Sequence, residues 1–288
     1  MTNRSKRAAI ATETMSIIES GSYVNTAGNT IDFADDIAAT IEATKTFAPE
    51  DFDAIELQVS KKLQSINSSA TTFEVANETT FAAARSILQE QPDARVLCLN
   101  FASAKNPGGG FLGGSQAQEE ALCRASALYA SLNPQQTYYE TNRRCGTCLY
   151  TDHMIYSPMV PVFRDDKDEL LLEPYRVSFI TAPAVNTGAL ANSEPEKLPM
   201  VADTMRSRIE KLLSLAVLND YQHLVLGAWG CGVFRNEPAE IADLFHEQLT
   251  GSGRFAAAFR NVRFGVLDFT KDQSTYRAFE ASFKSLIP

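Results

Sequence analysis

Short apolar runs at 95–101, 175–181, 222–228 and 261–269, separated by helix-patterned stretches, constrain this chain more than any other feature. Runs of this kind read as buried strands, and a further strand is expected at 71–76. Helical periodicity marks 5–20, 34–46, 78–90, 117–132, 198–219, 237–250 and 274–285. Strands alternating with helices of this length predict an α/β fold whose sheet is covered on both faces. Segment 133–174 is less regular. With no repeat, low-complexity tract or clear linker, the simplest division is one domain over 71–288 preceded by a helical extension over 1–70.

Glycine-rich turns follow two of the strands, at 108–114 and 230–232. Ligands of open α/β sheets sit at the carboxyl ends of strands, so both turns are expected to line one cleft. Five glycines among residues 108–114 disfavour helix and strand and let backbone N–H groups come close to a ligand. The triplet Gly108, Gly109 and Gly110 is followed by Gln118, Glu119 and Glu120. These open a helical pattern through Leu122, Ala125, Tyr129 and Leu132. Neighbouring residues on a helix point about 100° apart, so the two acids are expected to divide the work. One would hold a substrate hydroxyl and the other would handle the proton. The helix N-terminus favours the charged carboxylate, whereas burial and an adjacent acid favour a retained proton. First-turn acids also simply complement a helix dipole, and Glu120 with Arg124 makes an i,i+4 pair. A mere cap has no use for the neighbouring glycines, however. An anion cradle beside paired acids points to hydrolysis of a phosphate-bearing sugar compound.

Other chemistries fit poorly. Gly108, Gly110 and Gly113 satisfy a Gly-x-Gly-x-x-Gly pattern, but residues 102–107 separate them from the strand and no acid ends a following strand. No Gly-Lys-Ser/Thr follows a glycine cluster, and no serine or cysteine elbow matches the three histidines. His223 and His246 read as structural. Net charge of −9 argues against general nucleic-acid binding, while leaving room for a phosphate held by backbone N–H groups. No apolar run approaches the roughly 18 residues of a membrane span, and the N-terminus lacks a secretory pattern. Five cysteines without regular spacing argue for a reducing compartment, the cytoplasm. Asn77 to Thr80, at a strand-to-helix turn, is a candidate for base recognition.

The stretch Asn100-Phe-Ala-Ser-Ala-Lys-Asn-Pro-Gly-Gly-Gly-Phe, then Gln118-Glu119-Glu120 after a seven-residue spacer, resembles the microbial-type poly(ADP-ribose) glycohydrolases. The resemblance extends to Gly227-Ala-Trp-Gly-Cys-Gly-Val-Phe-Arg-Asn, to Ile155 through Arg164, and to the N-terminal helix leading into Gly21-Ser-Tyr. It implies a macrodomain-like three-layer α/β/α sandwich with a mixed central sheet, residues 71–288 being catalytic. It also implies hydrolysis of ribose–ribose bonds, from the chain end, to release ADP-ribose. Glu120 would be the general acid and base, and Glu119 would hold ribose hydroxyls. Asn100, Gln118, Gly108, Gly109 and Gly110 would serve the ligand. Gly230, Cys231, Gly232 and Val233 would give N–H bonds to the diphosphate, in a loop leading to a helix capped by Asn236. Phe234 would pack on the ribose, although by position it serves a core equally well. Poly(ADP-ribose), ADP-ribose and ADP-ribosylated proteins are the implied partners, with no metal, cofactor or membrane. A non-catalytic ADP-ribose reader and a hydrolase of mono-ADP-ribosylated targets are the alternatives. Cys145 and Cys148 stand outside that pattern and, without a second pair, read as buried or incidental thiols rather than half a zinc site.

Overall fold

In chain order the elements are α1 (Asn3–Ser20), β1 (Ser22–Val24), β2 (Thr30–Asp32), α2 (Ala34–Ala43), β3 (Lys45–Phe47), α3 (Phe52–Ser65), β4 (Thr72–Ala76), α4 (Thr80–Glu90) and β5 (Val96–Phe101). They continue with α5 (Gln118–Ala125), α6 (Leu128–Leu132), α7 (Gln136–Arg144), β6 (Met154–Arg164), β7 (Leu170–Ala182) and α8 (Thr187–Ser193). The last are α9 (Val201–Leu218), β8 (His223–Leu226), α10 (Pro238–Leu249), β9 (Asn261–Gly265) and α11 (Ser274–Phe283). This computed structural model describes residues 2–66 and 70–286. Strands β1 and β2 form a hairpin, and the other seven form one mixed sheet in the order β3-β6-β7-β5-β8-β9-β4, flanked by helices. Contacts group the chain into two compact units. One holds Met1–Phe47, Asn100–Arg144 and His153–Ala182; the other holds Ala48–Leu99, Cys145–Asp152 and Pro183–Pro288. The expected boundary at residue 70 adjoins residues 67–69, which lie outside the described residues.

In the first unit, antiparallel pairing joins β3 to β6 and β6 to β7. Tyr23, Phe33 and Phe163 form its aromatic core, with ring centroids 5.6–6.1 Å apart. The helix expected over 34–46 stops at Ala43, because Lys45–Phe47 pairs instead with β6. Thr44 closes that helix by donating its hydroxyl to the Thr40 carbonyl at 2.6 Å. The segment that reads as irregular holds α7 and the long strand β6. Proline is rare inside a sheet because it donates no ladder bond. Pro158 fits because β6 bulges there: Ser157 faces Phe179 and Val160 faces Val177, one residue more on β6 than on β7. Met159 takes φ of 52° in that bulge and donates its N–H to the Ser178 hydroxyl at 2.9 Å.

The helix expected over 117–132 is two helices. Ser126 is extended, at φ −147° and ψ 174°, and bridges to Val162. Its hydroxyl donates to the Leu122 carbonyl at 2.7 Å and accepts the Leu128 N–H at 3.2 Å. Ala127 then donates its N–H to the Pro161 carbonyl at 2.9 Å. A sheet contact thus interrupts a helical apolar pattern.

In the second unit, β8 runs parallel to both β5 and β9, and β4 runs parallel to β9. All four residues of β8 are buried, as a parallel strand covered on both faces requires. Phe264 on β9 meets Phe245 of α10 and Phe279 and Phe283 of α11 at centroid distances of 4.5–5.6 Å. Arg208 on α9 is fully buried yet satisfied: it donates to Asp152 Oδ1 at 2.8 Å and to the carbonyls of Pro183 and Leu149 at 3.1 and 2.6 Å. Among the described residues no helix is long and apolar enough to cross a membrane.

Candidate active site

The first unit carries the acids. Gln118, Glu119 and Glu120 occupy the first turn of α5. Gln118 Oε1 accepts the Phe101 N–H at 2.9 Å, which ties the start of the helix to the end of β5. Glu119 is 3% exposed. Its Oε2 accepts the Ser103 N–H at 2.7 Å, and its Oε1 accepts from Asn100 Nδ2 at 3.2 Å. The same Asn100 nitrogen donates to Thr181 Oγ1 at 3.1 Å, while Asn100 Oδ1 is buried without a partner. Burial pushes the Glu119 carboxyl up to about 8; bonds from Ser103 and Asn100 oppose this, the Glu120 charge adds to it, and the Gly108 N–H opposes it again. Burial thus favours the protonated form of Glu119.

Glu120 is half-buried, and its Oε1 accepts the Gly110 N–H at 3.0 Å. Gly109 sits beneath both acids at φ 59°, and a Cβ there would run into the Glu120 carboxylate. The loop is an ordered object. Its turns close through Gly109 N–H to Asn106 O at 3.0 Å, Gly113 N–H to Gly110 O at 3.1 Å and Gly114 N–H to Phe111 O at 2.9 Å. Helix α1 pins it further: Arg4 Nε and Arg7 Nε donate to the carbonyls of Gly113 and Gly114, both at 2.9 Å. Arg124 does not make the i,i+4 pair with Glu120. Its guanidinium turns to the Ser115 carbonyl at 3.1 Å, to Gln116 Oε1, and to Asp168 at 3.7 Å. Asn100, Gln118, Glu119, Glu120 and Gly108 to Gly110 are thus brought together. Ser103, Thr181 and the α1 arginines, which carry no motif of their own, complete the arrangement.

The second unit carries the other loop. Gly230 takes φ of 76°, and a Cβ there would strike Asn236 and Ala184. Asn236 is not the helix cap expected of it. Glu237 takes that position, with no side-chain cap bond, and Pro238 is the first helical residue. The Asn236 side chain is needed elsewhere: its Nδ2 donates to the carbonyls of Val185 at 2.9 Å and Gly230 at 3.2 Å, and its Oδ1 accepts the Thr187 hydroxyl at 2.7 Å. It is the brace that gives the loop its shape. The Cys231 N–H is engaged by Ala228 O at 3.1 Å. Gly232 and Val233 are exposed, with Val233 at 78%. Phe234 is half-buried, its ring 6.2 Å from that of Tyr150. Its carbonyl accepts the Gly188 N–H at 2.9 Å.

The remaining candidates sort out simply. Asn77 and Asp268 exchange bonds in both directions, Asp268 N–H to Asn77 Oδ1 at 2.8 Å and Asn77 Nδ2 to Asp268 O at 2.9 Å. Glu78 pairs with Arg263 at 2.7 Å and Thr79 caps α4. His246 packs on Phe283 within the helical layer. Cys145 and Cys148 are half-buried free thiols. Among the described residues no group of three or more His, Cys, Asp and Glu side chains is arranged to hold a metal ion.

The sequence profile of the family described as microbial-type PARG, catalytic domain, matches residues 11–165. The chain belongs to this family. Poly(ADP-ribose) glycohydrolase from Thermomonospora curvata, bound to the inhibitor ADP-HPD, superposes with a TM-score of 0.88 at 43% identity, covering 96% of this chain and 99% of that one. The enzyme from Deinococcus radiodurans in complex with ADP-ribose gives 0.81 at 51% identity, covering 87% and 98%. No curated protein sequence matches. Within the poly(ADP-ribose) glycohydrolase family, this chain therefore has solved relatives aligned over nearly their whole length.

Proposed function

We propose that the chain is a poly(ADP-ribose) glycohydrolase that cleaves ribose–ribose O-glycosidic bonds from the chain end and releases ADP-ribose. The carrying observation is the unlike setting of two adjacent glutamates. A group that serves first as acid and then as base must exchange its proton with solvent or water between steps. Half-buried Glu120 meets that need, and the enclosed Glu119 does not. Glu120 gives its proton to the departing ribose oxygen as the glycosidic bond breaks. Its carboxylate then takes a proton from the water that attacks the anomeric carbon.

Glu119, tied to Ser103 and Asn100, holds ribose hydroxyls. Gln118 supports this pair from behind through Phe101. Gly108, Gly109 and Gly110 allow the ribose and diphosphate to approach the backbone. In the second loop Gly230, Gly232 and Val233 give their N–H groups to the diphosphate. Cys231, whose N–H already meets Ala228 O, shapes the turn, and the Phe234 ring packs on the ribose. The reaction as written needs no metal or cofactor. Polymer carried on ADP-ribosylated proteins is the natural substrate, with no affinity for membranes or for nucleic acid in general. The five free thiols support action in the cytoplasm.

Glu120→Gln is the test. It should abolish ADP-ribose release from labelled polymer while ADP-ribose affinity stays within a few-fold. Full activity in that variant overturns the assignment, and an unmodified chain that binds polymer without releasing ADP-ribose would identify a reader.

A further inference from the structure

We propose that a cavity of about 440 Å³ in the second unit, at the starts of β5, β8 and β9, is a separate binding site for a phosphate or diphosphate group. Asp93, Arg95, Asp220, Gln222, His223 and Arg260 line it. The Gly230 loop follows the opposite end of β8, so the two features of this unit are distinct.

His223 opens β8, is 5% exposed, and has its Nδ1 buried with no hydrogen-bond partner. A buried polar atom left unpaired is costly, so native structures rarely leave one without a reason. Arg95 lies over the Tyr221 ring, 4.6 Å from its centroid, which holds the guanidinium without neutralising it. The Arg260 backbone is fixed on both sides: its N–H donates to Gln222 O, and its carbonyl accepts the Thr72 N–H, both at 2.9 Å. Among the described residues neither guanidinium has a carboxylate within ion-pairing distance. In a chain with 35 acidic and 26 basic residues, two uncommitted arginines on one cavity are unexpected unless an anion visits it. Asp220 is already paired to Lys62 at 2.6 Å, so Asp93 is the one acid opposing two arginines. Planar guanidinium forks and an imidazole nitrogen suit tetrahedral oxyanions.

Histidine-selective NMR tests this directly, since the chain has only three histidines. Inorganic diphosphate, titrated at ionic strength held constant with sodium chloride, should shift the His223 resonance saturably. Arg95→Gln/Arg260→Gln should weaken that response at least about tenfold, whereas Gly109→Ala should leave it intact. Circular dichroism checks that the double variant is folded, and Arg260→Lys should retain part of the response. The proposal falls if His223 does not respond, if chloride alone reproduces the shift, or if the double variant responds like the parent chain. It falls equally if Gly109→Ala abolishes the response. ADP-ribose oligomers added to Glu120→Gln distinguish the sources of phosphate: a lower midpoint than diphosphate marks the polymer, and a higher one marks free phosphates.

Discussion

Gly110 donates its backbone N–H to Glu120 Oε1 at 3.0 Å, so the glycine loop positions the proposed acid directly as well as leaving space for a ligand. This geometry depends on residue 109, where φ is 59° and a side chain would meet the carboxylate.

Gly109→Ala should therefore damage catalysis more than stability. An L-residue in this conformation costs about 1–2 kcal/mol, a modest loss on unfolding. Displacement of the Glu120 carboxylate should lower kcat by at least about tenfold. Polymer turnover and thermal unfolding measured on the same preparation separate the two effects.

Glu119 makes stability depend on pH with a sign opposite to that of most carboxylates. Its folded value of about 8 lies above the ordinary carboxylate value of 4.5, so the native state binds more protons than the unfolded one between them. Its contribution is complete below pH 4.5, is lost progressively as pH rises, and levels off above 8. Glu119→Gln cannot titrate. The difference in Tm between parent chain and variant should shift in favour of the variant across that window. A difference independent of pH would remove the buried-proton argument.

Asn236→Ala should open the second loop. It leaves the carbonyls of Val185 and Gly230 and the Thr187 hydroxyl without their buried partner, at a cost on the order of 2–3 kcal/mol. ADP-ribose affinity should fall at least about tenfold in calorimetry. Asn236→Asp should be worse, since it replaces a donor with a buried negative charge.

Asp152→Ala should destabilise by about 3–5 kcal/mol by stranding the buried Arg208 charge. Burial acts to raise the Asp152 carboxyl, but Arg208 and Lys211 outweigh it and hold the group below its ordinary range. Asp152 therefore adds stability above the ordinary aspartate range, and that stability is lost as pH falls toward the depressed folded value. Denaturant titrations at neutral and acidic pH should show the gap between parent chain and Asp152→Ala narrowing on acidification.

Some parts of the molecule are written locally in the sequence and others are not. The strands at 95–101 and 222–228 are legible because parallel strands buried on both faces need unbroken apolar runs. Strand β6 is hidden by Pro158 and Pro161; the bulge against β7 accommodates Pro158, and Pro161 lies beyond the stretch of β6 that pairs with β3. The stop between α5 and α6 is hidden too, since the apolar period from Leu122 to Leu132 continues across it. Its cause is the bridge from Ser126 to Val162, a contact distant in sequence. At the site, Glu119 and Glu120 are conspicuous beside the glycines. Asn236 reads as a cap because Asn before Glu-Pro looks like one, and its actual partners, Val185 and Thr187, are about fifty residues away.

The interruption at Ser126 has a mechanical consequence. Helix α5 has eight residues, about 12 Å of rise, and is stitched down at each end, by Gln118 to Phe101 and by Ser126 to the sheet. So short a rung, fixed at both ends, cannot swing as a lever. The proposed proton donor it carries can move by side-chain rotation while its backbone stays at rest, and turnover then demands little rearrangement of the scaffold beneath it.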